Sequence, residues 1–71
     1  MEEKLKKYWN EIKEAVLSRW GDQVQEEDLE KPMSYEQLCQ YFGEKCDLRR
    51  EQAEDRIERV VQEIEFRPPG V

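Results

Sequence analysis

Apolar residues Leu5, Tyr8, Trp9, Ile12, Ala15, Val16 and Trp20 recur at steps of three and four along residues 3–20. That spacing lines up one stripe of an amphipathic helix. Glu2–Lys6 and Glu3–Lys7 lie four apart on the opposite face, in the order that supports a helix. Gly21 follows Trp20 and is expected to end the helix in the left-handed conformation. The stretch "DQVQEEDLEKP" offers only Val24 and Leu29 as aliphatic anchors. Residues 25–30 are expected to form a short helix, with carboxylates at its positive end and Pro32 as its stop.

Ser34 and Gln37 have the spacing of a capping box, which predicts a third helix over 35–42. Its core residues are Tyr35, Leu38, Cys39 and Phe42, and Gly43 is expected to end it. Asp47 is placed to cap a fourth helix with the stripe Leu48, Ala53, Ile57, Val60, Val61 and Ile64. "RPPG" stops that helix, so residues 1–66 read as one helical domain and 67–71 as a short disordered tail. Each half closes a helix with an aromatic–glycine pair, "WG" and then "FG", followed by a charged loop. The fold expected is all-α: a small four-helix domain of two helical hairpins packed across each other.

Composition sharpens this picture. Leu, Ile, Val and Phe supply only 15 of 71 residues, so a few large side chains must carry the core. Trp9 and Trp20 lie eleven apart, three turns along one helix face. Exposed, they would form a binding platform; buried, they supply area this composition lacks. Ile12 and Val16 lie between them on the same stripe, which favours burial. The expected structural core is Trp9, Ile12, Val16, Trp20, Gly21, Leu29, Leu38, Phe42, Gly43, Ala53, Ile57, Val60 and Ile64.

The net charge is −6, from 12 basic and 18 acidic residues. An acidic chain repels nucleic acid and anionic membranes at long range. No apolar run approaches the length of a membrane span, and the first residues lack the pattern of a signal peptide. A cytoplasmic location is therefore expected, with no membrane association.

The candidate chemistry is sparse. Cys39 and Cys46 are too few, and histidine is absent, for a tetrahedral zinc site. Both are expected to be reduced thiols that pack as small apolar groups. The carboxylates of "EEDLE" would point in three directions from a helix, and no EF-hand spacing is present. The three glycines are isolated, so no phosphate loop exists. No catalytic, cofactor-binding or metal-ligating residue is assigned, no small-molecule substrate is evident, and the chain is read as a non-enzyme.

One alternative is a DNA-binding helix-turn-helix over residues 35–42 and 48–66, with Arg49, Arg50 and Arg56 as the nucleic-acid-binding residues. Glu51, Glu54, Asp55 and Glu58 share that second helix and would face phosphates. The cationic surplus behind non-specific affinity is also missing. A protein partner that completes the helix stripes is a further option, with the chain itself a monomer or weak homo-oligomer.

Trp9, Ile12, Val16 and Trp20–Gly21, followed by an acidic stretch ending in Asp28–Leu29, resemble the first half of the CsbD-like family of small bacterial stress proteins. Phe42–Gly43 with "LRREQAEDRI" is similar to its second half, at altered spacing. The segment between Leu29 and Phe42 is shorter, and "EKCD" reads as a four-residue insertion. The resemblance spans roughly residues 8–64. It implies a cytoplasmic helical protein of two crossed hairpins, associated with general stress and without catalytic residues or a cofactor.

Overall fold

The first apolar stripe folds as a rod with one bend. In a computed structural model, which describes residues 1–66, α1 runs over Glu2–Lys7 and α2 over Trp9–Trp20. Tyr8 between them relaxes to φ −105° and ψ 19°. Hydrogen bonds still cross the bend, from Tyr8 N–H to Lys4 O at 2.9 Å and from Ile12 N–H to Tyr8 O at 2.8 Å. The single helix expected over 3–20 is thus two helices in one continuous rod. Leu5, Trp9, Ile12 and Val16 are buried along its inner side.

The acidic stretch forms one 3-10 turn, Glu26–Leu29, in place of the expected α-helix. Four residues close i→i+3 bonds more readily than a full α turn, and here Asp28 N–H donates to Gln25 O at 3.1 Å. Val24 and Leu29 on either side of it are buried. The third helix, α3, runs over Tyr35–Lys45, and the fourth, α4, over Arg50–Glu65. Both halves of the Ser34–Gln37 capping box form: Gln37 N–H donates to Ser34 Oγ at 3.2 Å, and Ser34 N–H to Gln37 Oε1 at 3.0 Å.

The chain reversals differ from the sequence expectation in three places. Gly21 is right-handed, at φ −61° and ψ −19°. It is needed for close approach, because a Cβ there would collide with the carbonyl oxygen of Leu17. Gly43 does not end α3, which continues for two residues and is closed by Cys46 N–H on Phe42 O at 2.9 Å. Asp47 does not cap α4. It takes the left-handed position that reverses the chain, at φ 53°. The cap residue is Arg49, in extended backbone, whose N–H donates to Gln52 Oε1 at 3.1 Å.

The fold is all-α, with no strand among the described residues. α3 and α4 form a hairpin that packs through α4 onto α2, while the 3-10 turn folds back on α2. Thirteen residues make the buried apolar cluster, contributed by every element. The sequence-derived core is placed there with four exceptions. Trp20 and Ile64 are only partly buried, since each sits in the last turn of its helix where fewer neighbours reach it, and Gly21 is exposed. Gly43 is half-buried under the returning chain. Leu5, Val24, Cys39 and Val61 complete the cluster. The expected tail, 67–71, lies outside the described residues.

Candidate functional site

Trp9 and Trp20 occupy different environments although the sequence places them on one stripe. Trp9 is buried, and its indole N–H donates to Leu29 O at 2.8 Å, twenty residues away. This bond fastens the 3-10 turn to the rod. Trp20 meets Phe42 edge to face, with centroids 5.5 Å apart and planes at 79°. Its other side is covered by the Arg56 guanidinium, 4.9 Å from the ring centroid. Such cation–π contacts contribute roughly 0.5–1 kcal/mol at exposed sites and more when desolvated.

A groove of about 560 Å³ opens beside Trp20, between the end of α2 and the outer face of α4. Trp20 and Leu48 form its apolar floor. Its walls carry Arg19, Arg56 and Arg59 against Glu51, Asp55 and Glu63. Arg19 pairs with Glu63, and Arg59 Nε lies 3.0 Å from Asp55 Oδ2. One guanidinium nitrogen of Arg56, Nη1, is buried with no hydrogen-bond partner among the described residues. This groove was missed from the sequence because Arg19 and Glu63 are 44 positions apart.

The three arginines of the helix-turn-helix alternative diverge in their roles. Arg50 grips Glu36 with two bonds, Nη1 to Oε2 at 3.1 Å and Nη2 to Oε1 at 2.6 Å. It also reaches Glu54 Oε2 at 3.4 Å. Those hydrogen bonds hold the Glu36 carboxyl below its ordinary range and raise Arg50 further above its own. Arg56 lies over Trp20, and only Arg49 points its charge to solvent without an ion pair in the described residues. The structure therefore brings no cationic row together along α4.

The remaining reactive groups are muted. Burial pushes the thiols of Cys39 and Cys46 upward, although Arg50 and Arg56 respectively pull the other way. Both cysteines are free and stay protonated at neutral pH, so neither is an activated nucleophile. Tyr41 accepts from Gln25 N–H at 3.1 Å and donates to Asp28 Oδ2 at 2.8 Å, clamping the 3-10 turn to α3. Burial pushes the Tyr35 hydroxyl up to about 12. Among the described residues no three Cys, Asp or Glu side chains converge as metal ligands. No helix there is long and apolar enough to cross a membrane.

Comparisons with protein-family models, with curated proteins and with solved structures find no match to this chain. The likeness to the CsbD-like family therefore rests on the residue spacings quoted above.

Proposed function

We propose that this is a non-enzymatic, acidic helical protein of the cytoplasm, associated with general stress and acting through protein contacts or as an abundant protectant. The observation that carries the reading is the separation of charge from core. No polar or charged residue is buried among the described residues, while the chain as a whole carries −6. Such a surface keeps a protein soluble at high concentration and discourages contact with polyanions. The resemblance to CsbD-like proteins supports the stress association.

The test is abundance of the protein through salt shock, heat and stationary phase, with affinity capture from the same cells. The reading expects abundance to rise several-fold under at least one of these conditions. A flat profile across all three overturns it. A gel-shift salt series on duplex DNA addresses the helix-turn-helix alternative, for which a shift that strengthens as salt is lowered is the required result.

A further inference from the structure

Among the described residues the outer face of α4 is exposed, apart from Arg19 reaching across to Glu63. Glu51, Asp55, Arg59 and Glu63 recur on it every four residues, and Phe66 continues the row three positions later. Phe66 is 78% exposed, an unusual position for an aromatic in so polar a chain. The same face borders the groove floored by Trp20 and Leu48. A knob and a hole thus share one helix face, at opposite ends.

We propose that this face is the docking site for a second copy of the chain, with the two α4 helices antiparallel about a two-fold axis at the level of Ile57. The register follows from counting. Phe66 and Leu48 are each nine positions from Ile57, so Phe66 of either copy meets the Leu48 end of the other's groove. Asp55 and Arg59 pair with each other at 3.0 Å within one helix, and each is two positions from Ile57. In the dimer each carboxylate therefore also faces the other copy's guanidinium, and the two intrahelical pairs join into one four-charge cluster. Glu51 comes opposite Glu63, whose charge Arg19 already offsets.

Charge favours a copy over other occupants. The groove walls hold three guanidiniums and three carboxylates, a neutral face on a chain of −6. A strongly basic partner would meet the guanidiniums and a strongly acidic one the carboxylates, whereas a copy in this register sets Asp55 against Arg59 twice at its centre. On a face whose charges balance, two acidic molecules meet with little added repulsion. The proposal goes beyond the stress reading and does not depend on it.

Sedimentation equilibrium from low micromolar to millimolar concentration tests it, on the full chain and on three variants. The full chain is expected to show a reversible monomer–dimer equilibrium. Phe66→Ala is expected to raise the dissociation constant by about tenfold or more, equivalent to ~1.4 kcal/mol. Asp55→Arg and Arg59→Asp are each expected to weaken self-association, and an equimolar mixture of the two to restore it. Both positions are well exposed, and circular dichroism checks that the variants stay helical.

Asp55→Arg brings each copy from −6 to −4 and so reduces overall repulsion, which makes its weakening diagnostic of the specific pair. Three results overturn the proposal: a monomer throughout the range, an Asp55→Arg chain that associates as well as the parent, or a mixture no tighter than its components.

Discussion

Replacing Trp9 by Phe tests how much of the fold hangs on one hydrogen bond. The indole N–H of Trp9 is the partner of the Leu29 carbonyl, at 2.8 Å in a buried setting. Phenylalanine keeps most of the apolar contact but removes the donor. A buried carbonyl left without a partner costs about 1–3 kcal/mol, and the volume lost from the larger ring adds about 1 kcal/mol. The expected loss is therefore about 2–4 kcal/mol. A domain of this length has only roughly 4–10 kcal/mol in total, so the midpoint of unfolding should fall visibly. Urea unfolding followed by circular dichroism measures it, with an unchanged slope indicating that the unfolded state is unaltered. Trp20→Phe is the control, because Trp20 is only partly buried and its N–H holds no protein acceptor among the hydrogen bonds described. It should cost about 1 kcal/mol or less. The reasoning fails if Trp9→Phe lies within about 0.5 kcal/mol of the parent chain, or if Trp20→Phe is the more damaging change.

Four further outcomes follow from the same structure. Glu36 is held below its ordinary value by Arg50, so its contribution is present at neutral pH and lost as pH falls through its folded value. The stability gap between the parent chain and Glu36→Gln should close at acid pH, and acid titration of both unfolding midpoints measures this. Asp47→Gly relieves a left-handed backbone at φ 53° and should raise stability by up to about 1 kcal/mol in thermal unfolding. Gly21→Ala should destabilise through its collision with Leu17 O, whereas Gly43→Ala, whose Cβ would stand 3.4 Å from Leu48 O, should be neutral or stabilising by up to about 1 kcal/mol. A thiol reagent at neutral pH should label Cys46, which is half-buried, well before Cys39, which is buried; equal rates would contradict the packing.

The helical segments within 3–20, 35–42 and 48–66 were legible because their signals are local, whereas the acidic stretch 25–30 closed as a 3-10 turn. The three-and-four spacing of Leu5 through Trp20 and the Ser34–Gln37 pair act within a turn or two of the chain, and the structure contains both. The reversals were not, although their residues are equally local. "WG" and "FG" look alike in sequence, yet Gly21 is needed for contact with Leu17 and Gly43 is a helix-interior residue passed by Leu48. What separates them is where the next segment runs, which is a tertiary fact. The left-handed residue fell to Asp47, one of the few non-glycine types that tolerate it. The groove was illegible for a stronger reason. Its walls join residue 19 to residue 63, and no short-range pattern marks Trp20 as half-covered by an arginine.

Those long-range pairs also explain how a chain with eighteen carboxylates presents them. Lys4 pairs with Glu65, Lys13 with Glu26, Arg19 with Glu63 and Arg50 with Glu36, each linking two different elements. Exposed pairs of this kind contribute about 0–1 kcal/mol each, so the apolar cluster and not the pairs must set stability. Their larger effect is on the surface potential. Each pair neutralises a cation inside the molecule's own framework, leaving the surplus carboxylates as the charges an approaching molecule meets. Arg50 and Arg56 show the consequence at one helix. The helix-turn-helix alternative would need both to meet phosphates, and both are engaged within the chain, one by Glu36 and Glu54 and the other by Trp20. Freeing Arg50 by Glu36→Gln removes one negative charge and one restraint, yet the chain stays acidic at −5. If even that variant bound duplex DNA at low salt, charge engagement would be too weak an account of this surface.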